Sequence, residues 1–387
     1  MITVALILFY CRKCLCFDRT EIMHEKHSKI FFPYLGSSSG NNVKLFRYNE
    51  LISATKRFHP NNKIGRGGFG TVFKGTLKNG RQVAIKVLSS ESKQGVMEFF
   101  SEIHAITNVK HVNLIELLGC CVHGDEKILV YDYAENGSLD RVFLGSGGEM
   151  SSLDWSRRRA ICMGTARGLM FLHEELDPPI VHRDIKASNI LLDKDFVPKI
   201  GDFGLAKLFP HTITHISTRV AGTTGYLAPE YAMGGRLTKK ADIYSFGVLT
   251  LEIISGRNNC RTSLHGMEKS LLEWTWQLYE DGRLMELVDR SLKEYPEEEV
   301  LRFTKVALFC TQGAARRRPS MSQVVEMLSD RIALNEEELT APGLLLSAEE
   351  RGAQEPVSLA RSRFKSSSNS STQLTYGPVS FTEIIPR

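Results

Sequence analysis

Between Lys63 and Leu88 apolar and polar residues alternate with a period of two, β-branched side chains recur, and glycines and the Asn79-Gly80 pair interrupt the run. Alternation places successive side chains on opposite faces of a strand, and Asn-Gly supplies the positive-φ residues of a tight hairpin, so this stretch predicts an antiparallel sheet. The period then lengthens. Phe99, Ile103 and Ile106 in VMEFFSEIHAITNV fall at helical spacing, and after Gly137 the long periodic segments are helical: 156–175, 241–255, 270–279, 298–312 and 320–330. Upstream, Leu51, Ile52, Thr55 and Phe58 share one face behind Asn49, which predicts a short capped helix. Strands first and helices afterwards predict an α+β chain of two lobes, a small antiparallel sheet with one helix and a larger helical lobe.

The ends of the chain read differently. Met1 to Tyr10 is an apolar run about half the ~20 residues a membrane-crossing helix needs, and Arg12 and Lys13 follow it, where a secretory signal would place its basic residues in front. Cys11, Cys14 and Cys16 beside that pair offer thiols for S-acylation, so residues 1–16 are expected to anchor at a membrane surface; a frayed terminus is the plain alternative. Zinc held by Cys11, Cys14, His24 and His27 is disfavoured, because His-x-x-His is tighter than the usual spacing. Residues 17–57 read as a linker, with Gly/Ser/Asn at 36–42, ending in the short helix. The lobes are then expected at 58–132 and 133–331. Residues 332–387 run through EEE into ARSRFKSSSNSSTQ, too polar to pack, and are expected to be a disordered tail.

Composition narrows the function only by exclusion. The 387 residues carry a formal charge of +5, small for this length, and no nucleic-acid-reading motif, so nucleic acid is not an expected partner. Eight irregularly spaced cysteines suit a reducing compartment, not a disulfide framework.

Chemistry enters at IGRGGFGTVF, where Gly65, Gly67 and Gly70 form G-x-G-x-x-G, followed by Val72. A dinucleotide-binding turn uses the same letters but needs a helix immediately afterwards; here TVFKGTLKNGRQVAIKV continues as strand, turn, strand. The loop therefore reads as a hairpin cover in which glycines admit phosphates close to the backbone and Phe69 caps the tip. In VAIKV, Ala84 and Lys86 share one strand face, and an inward lysine there must find an anion. Glu102 is the candidate carboxylate, with Glu98 one turn earlier as its rival.

The segment IVHRDIKASNILL holds His182, Arg183, Asp184, Lys186 and Asn189 between two apolar runs, and a charged loop so placed rarely serves packing alone. KIGDFGLA with Asp202, Phe203 and Gly204 follows, and AGTTGYLAPE ends in Ala228, Pro229 and Glu230. In order and spacing these motifs resemble the signature set of eukaryotic protein kinases over about 58–331. The resemblance implies a bilobal kinase fold that transfers the γ-phosphoryl group of ATP with Mg²⁺. It implies that Asp184 receives the hydroxyl proton, Lys186 steadies the γ-phosphate, Lys86 pairs with Glu102, and Asn189 and Asp202 hold Mg²⁺. Lys186 and Thr223 resemble the serine/threonine class. The ATP site would comprise Ile64, Gly65, Gly67, Gly70, Val72, Ala84, Lys86, a tyrosine gatekeeper Tyr131, and hinge residues Asp132 and Ala134.

The tyrosine gatekeeper, GSLDRVF, HRDIKASNILLD and RRRPSM are similar to plant receptor-like kinases and the Pelle and interleukin-receptor-associated kinases, and FRYNELISATKRFHPNNKIGRGGFGTVFKG to cold-responsive and receptor-like cytoplasmic types. This implies protein substrates, autophosphorylation, an upstream receptor kinase as partner and a site at the cytoplasmic face of the plasma membrane, with the soluble cytoplasm as the alternative. Activation-loop phosphorylation is expected at Thr218, then Ser217 or Thr214, answered by Arg183. Glu230 with Arg318, and Asp242 beneath the catalytic loop, are expected supports. The rival from another class is a catalytically idle scaffold.

Overall fold

The structure, a computed structural model, describes residues 43–343 apart from 68–69, 89–92, 108, 145–152, 260–261 and 265–266. The anchor 1–16, Phe69 and the serine-rich tract therefore lie outside the described residues. The first lobe contains, in chain order, β1 (Lys44–Leu45), α1 (Tyr48–Ala54), β2 (Lys63–Gly67), β3 (Gly70–Thr76), β4 (Gln82–Leu88), α2 (Lys93–Ile106), β5 (Leu117–His123) and β6 (Glu126–Asp132). The strands form one sheet in the order β1-β5-β6-β4-β3-β2. Period-two alternation on β4 buries Val83 and Ile85 against Phe46, Leu51, Ile128 and Val130 on the outer face. Ala84 and Lys86 consequently face the other lobe, with Ala84 opposite Tyr131 and Lys86 opposite Leu129 and Val72.

Two boundaries differ from the sequence reading. The sheet starts inside the expected linker: β1 pairs parallel with β5, Lys44 with Gly119, and closes over an outer cluster that would otherwise stand open. Helix α1 begins two residues early, capped by Arg47 without a side-chain bond, so Asn49 is inside the helix and caps nothing. Tyr48 fixes that start by stacking on His123 with ring centroids 4.1 Å apart.

In the second lobe follow α3 (Leu139–Leu144), α4 (Trp155–Met170), β7 (Ile180–Val181), β8 (Ile190–Leu192), β9 (Pro198–Ile200), β10 (Lys207–Leu208), β11 (Ile216–Ser217), α5 (Pro229–Gly234), β12 (Arg236–Leu237), α6 (Lys239–Ser255), β13 (Thr262–Leu264), β14 (Met267–Lys269), α7 (Leu271–Glu280), α8 (Glu297–Thr311) and α9 (Met321–Leu328). Side-chain caps set the helix starts: Asp154 accepts the Arg157 amide at α4, Thr238 that of Lys240 at α6, and Ser270 and Ser320 form capping boxes with Glu273 and Gln323. Helix α6 is buried almost along its full length and is the post around which the lobe packs. Gly256 ends it at φ 64°, a conformation that favours glycine. Past α9 the chain does not leave the fold where the tail was expected to begin. Leu334 and Leu339 pack on the core, and Pro342 bridges to Gln312.

Candidate active site

Three elements meet at the Lys86 ammonium. It donates to Glu102 Oε1 of α2 at 2.5 Å and to Asp202 Oδ1, beyond β9, at 2.7 Å. Lys86 is 8% exposed and Glu102 fully buried. Burial alone would strip the lysine of its proton, but the two carboxylates reverse this and hold its pKa above the free value. Burial lifts Glu102 to about 7 against the pull of Lys86, and nearby Glu98 adds to the rise. Asp202 stays below its free value: burial works the other way, and the Lys86 charge and hydrogen bond outweigh it. The Tyr131 hydroxyl donates to the second oxygen of Glu102, so the residue read as gatekeeper also orients α2.

Across the cleft the Asp184 carboxylate is held from three sides. Thr223 Oγ1 donates to Oδ1 at 2.7 Å, Asn189 Nδ2 to Oδ2 at 3.0 Å, and Lys186 Nζ lies 2.9 Å from Oδ2. Lys186 also donates to Thr223 Oγ1 at 2.8 Å, so that hydroxyl is both acceptor and donor. Its link to the carboxylate spans from the loop 182–189 to the segment before α5.

Asp242, at the start of α6, is the brace beneath this loop. Its oxygens accept the backbone N–H groups of His182 and Arg183 at 2.7 and 2.8 Å, and His173 Nε2 lies at 2.9 Å. Burial would raise the Asp242 pKa, but the His173 contact, the nearby His182 and the Arg183 amide hold it below the usual range. The amides support a backbone that needs it, since Arg183 at φ 72° and Asp202 at φ 62° are both left-handed. His182 spans the gap, its Nε2 3.0 Å from Gly201 O and its ring edge-on to Phe203. His182 was singled out in its motif without this contact, and His173 carries no sequence signal of its own, because its partner Asp242 is brought from elsewhere in the chain.

The glycines divide by steric demand. Gly70 lies at φ 144°, where a Cβ would come 2.2 Å from Val87 O, so nothing larger fits. At Gly67 a Cβ would meet nothing within 4 Å, leaving open backbone above the cleft, the space a phosphate needs. Ile64, Gly65, Val72 and Ala84 are half-buried on this side, and Tyr131 and Ala134 are buried. Where β6 leads into the second lobe, Asp132 N–H donates to Glu116 O, Ala134 O accepts from Gly137 N–H, and Arg81 pairs with the Asp132 carboxylate at 3.2 Å.

The segment from Asp202 to Glu230 is ordered through Arg183 in a way the sequence reading missed. The guanidinium donates to Leu205 O at 2.9 Å, Arg219 O at 3.0 Å and the Tyr231 hydroxyl, so it is engaged and not a waiting cation. Lys207 takes the place next to Thr218, donating to its Oγ1 at 2.8 Å. Burial and the Arg183 charge push the Lys207 pKa down. Thr214 and Ser217 are exposed. Glu230 meets Arg318 through two 2.8 Å contacts, as expected.

The comparisons with known proteins agree with this geometry. The profile of the family described as protein tyrosine and serine/threonine kinase matches residues 58–328. The chain is 54% identical over 308 residues to cold-responsive protein kinase 1 of Arabidopsis thaliana, covering 79% of each chain. It is 55% identical over 291 residues to an Arabidopsis thaliana protein described as a probable LRR receptor-like serine/threonine-protein kinase, 75% of this chain but 28% of that one. A second protein of that description matches at 54% over 299 residues, 77% of this chain and 29% of the relative. The chain thus spans less than a third of the length of the LRR receptor-like relatives.

Proposed function

The chain belongs to the protein tyrosine and serine/threonine kinase family, and on that premise we propose how its residues carry the γ-phosphoryl group of ATP to serine and threonine hydroxyls of proteins, its own included. The observation that carries the reading is the pair of facing clusters, Lys86-Glu102-Asp202 on one side and Asp184-Thr223-Lys186 on the other. Phosphoryl transfer passes through a loose anionic transition state, so positioning and charge neutralisation do most of the work. Asp184, fixed by three partners, is aimed to orient a substrate hydroxyl and take its proton. Lys186 faces the transferring phosphate, and Lys86 the phosphates behind it. Asp132 C=O and Ala134 N–H are the hinge groups for adenine, and Ile64, Val72 and Ala84 flank its ring.

A divalent metal fits the donors present. Asn189 spends its NH₂ on Asp184 O and Oδ2, and Asp202 spends Oδ1 on Lys86. Asn189 Oδ1 and Asp202 Oδ2 are hard oxygen donors of the kind Mg²⁺ prefers when phosphates complete its shell. Among the described residues no cluster of three or more His, Cys, Asp or Glu offers a protein-only metal site. Mg²⁺ held by Asn189 and Asp202 would offset phosphate charge. The complete set of charged groups favours an enzyme over an idle scaffold. Incubation with Mg-ATP should leave phosphoserine and phosphothreonine on the chain, and Lys86→Met should lower that by about a hundredfold or more. Equal incorporation by the variant would reject these assignments.

Phosphorylation at Thr218 is the proposed activating event, with Ser217 and Thr214 as alternates. A phosphate there would meet Lys207 and lie near Arg183, forming charge-assisted hydrogen bonds that order the segment. A Thr214, Ser217 and Thr218 triple Ala variant should lose most activity; full activity would count against it. An upstream receptor kinase is a fitting donor, given the LRR receptor-like relatives. No helix among the described residues is long and apolar enough to cross a membrane. The proposed anchor is residues 1–16, placing the kinase at the cytoplasmic face of the plasma membrane. A fluorescent fusion of residues 1–45 should concentrate there and be released by Cys→Ser at Cys11, Cys14 and Cys16.

A further inference from the structure

Beyond the helical core the chain turns back as a strap. Gly313 N–H donates to Ala341 O at 3.1 Å and Gly343 N–H to Thr311 O at 3.0 Å, a short ladder that buries the end of α8. Thr340 donates through both N–H and Oγ1 to Gln312 Oε1 at 3.1 and 2.9 Å, and Gln312 is 1% exposed. The strap ends against the activation segment. A Cβ on Gly343 would lie 2.7 Å from Pro229 Cγ and 3.1 Å from Gly313 Cα, so its backbone is in close contact with the first residue of α5. Gly343 O accepts the hydroxyl of Tyr244 at 2.6 Å, and the Tyr244 ring lies 5.0 Å under the Arg318 guanidinium, which pairs with Glu230.

These contacts converge on one place. Pro229 and Glu230 close the segment that begins at Thr223 on Asp184, where a substrate hydroxyl must sit. What holds Pro229 therefore holds that platform. We propose that residues 332–343 are a positioning strap, in which Gly343 and Tyr244 fix the Pro229-Glu230 end of the activation segment and so set the affinity for protein substrate. The proposal rests on the kinase reading for its substrate term; the fixing of the segment does not.

Gly343→Val cannot be seated against a rigid proline ring and should undock the strap, while Tyr244→Phe removes one hydrogen bond and keeps the ring under Arg318. In the full chain, amide exchange of Gly313 should accelerate in Gly343→Val, and exchange across 219–231 should accelerate with it. KM for a serine-containing peptide should rise about fivefold, the scale of one lost hydrogen-bonded contact, with KM for ATP within about twofold of wild type. Tyr244→Phe should show the same pattern more weakly, and serves if Gly343→Val does not fold. Accelerated exchange at Gly313 with none across 219–231, or a matched rise in both KM values, would overturn the proposal. So would an unchanged Gly313 in both variants. If wild type transfers no phosphate, the kinase reading fails and the exchange data still decide whether the strap fixes the segment.

Discussion

Thr223 joins two parts of the site that are far apart in sequence, donating to Asp184 Oδ1 and accepting Lys186 Nζ. Thr223→Ala should lower kcat about tenfold, the cost of a hydrogen bond to charged groups, leave KM for ATP nearly unchanged, and be largely restored in Thr223→Ser. A parallel rise in KM for ATP would show that the residue acts on nucleotide binding. A second residue-scale test concerns Glu252 on α6, which accepts the Tyr226 hydroxyl at 2.5 Å and the Asn259 amide at 2.7 Å. Burial lifts its pKa to about 7 although both bonds favour the anion. A carboxyl whose folded pKa exceeds its unfolded value binds its proton more tightly when folded. Its contribution to stability is complete below about 4.5 and is lost as pH rises through about 7. Relative to Glu252→Gln, wild type should therefore lose up to about 3 kcal/mol between those limits. Unfolding free energies of the two proteins at pH 5 and pH 8 measure this, and parallel curves would contradict it.

At the scale of elements, Arg318 is fully buried and carries both α5 through Glu230 and the turn before it through Gln312 O. Arg318→Ala should cost about 3 kcal/mol, because a buried polar network loses its centre and Glu230 its partner; denaturant melts check this, with Glu230→Gln expected to cost less. The long helices were legible in the sequence as extended segments rich in apolar residues: 241–255 was expected and α6 spans Lys239–Ser255, buried on nearly every side and so without a single apolar stripe. β1 and the strap were not legible. Two residues at Lys44–Leu45 and a bridge at Pro342 have no period, and their partners, Gly119 and Gln312, lie far along the chain. Lys86, Glu102, Asp184, Lys186 and Asp202 were singled out from their order in known motifs, whereas Tyr131 to Glu102 and Lys207 to Thr218 are contacts between elements that only folding brings together.

The whole molecule works as two lobes joined through one shared core, in which Phe99, Ile103 and Leu129 of the first lobe cluster with Ile200 and Phe203 of the second. Ile115 N–H donates to Ile200 O and Ile200 N–H to Asn113 O, both at 2.9 Å, stitching the chain after α2 to β9. The Lys86-Asp202 pair closes the cleft from the other side. This arrangement places Lys86 and Asp184 in one cleft, as the proposed transfer from ATP to a protein hydroxyl requires. The most direct measurement is the rate of γ-phosphate incorporation at saturating Mg-ATP by wild type and Asp184→Asn, with melting temperatures taken alongside. The account predicts incorporation by wild type, a fall of about a thousandfold in the variant, and melting within a few degrees. Wild-type turnover by a folded Asp184→Asn protein would contradict it.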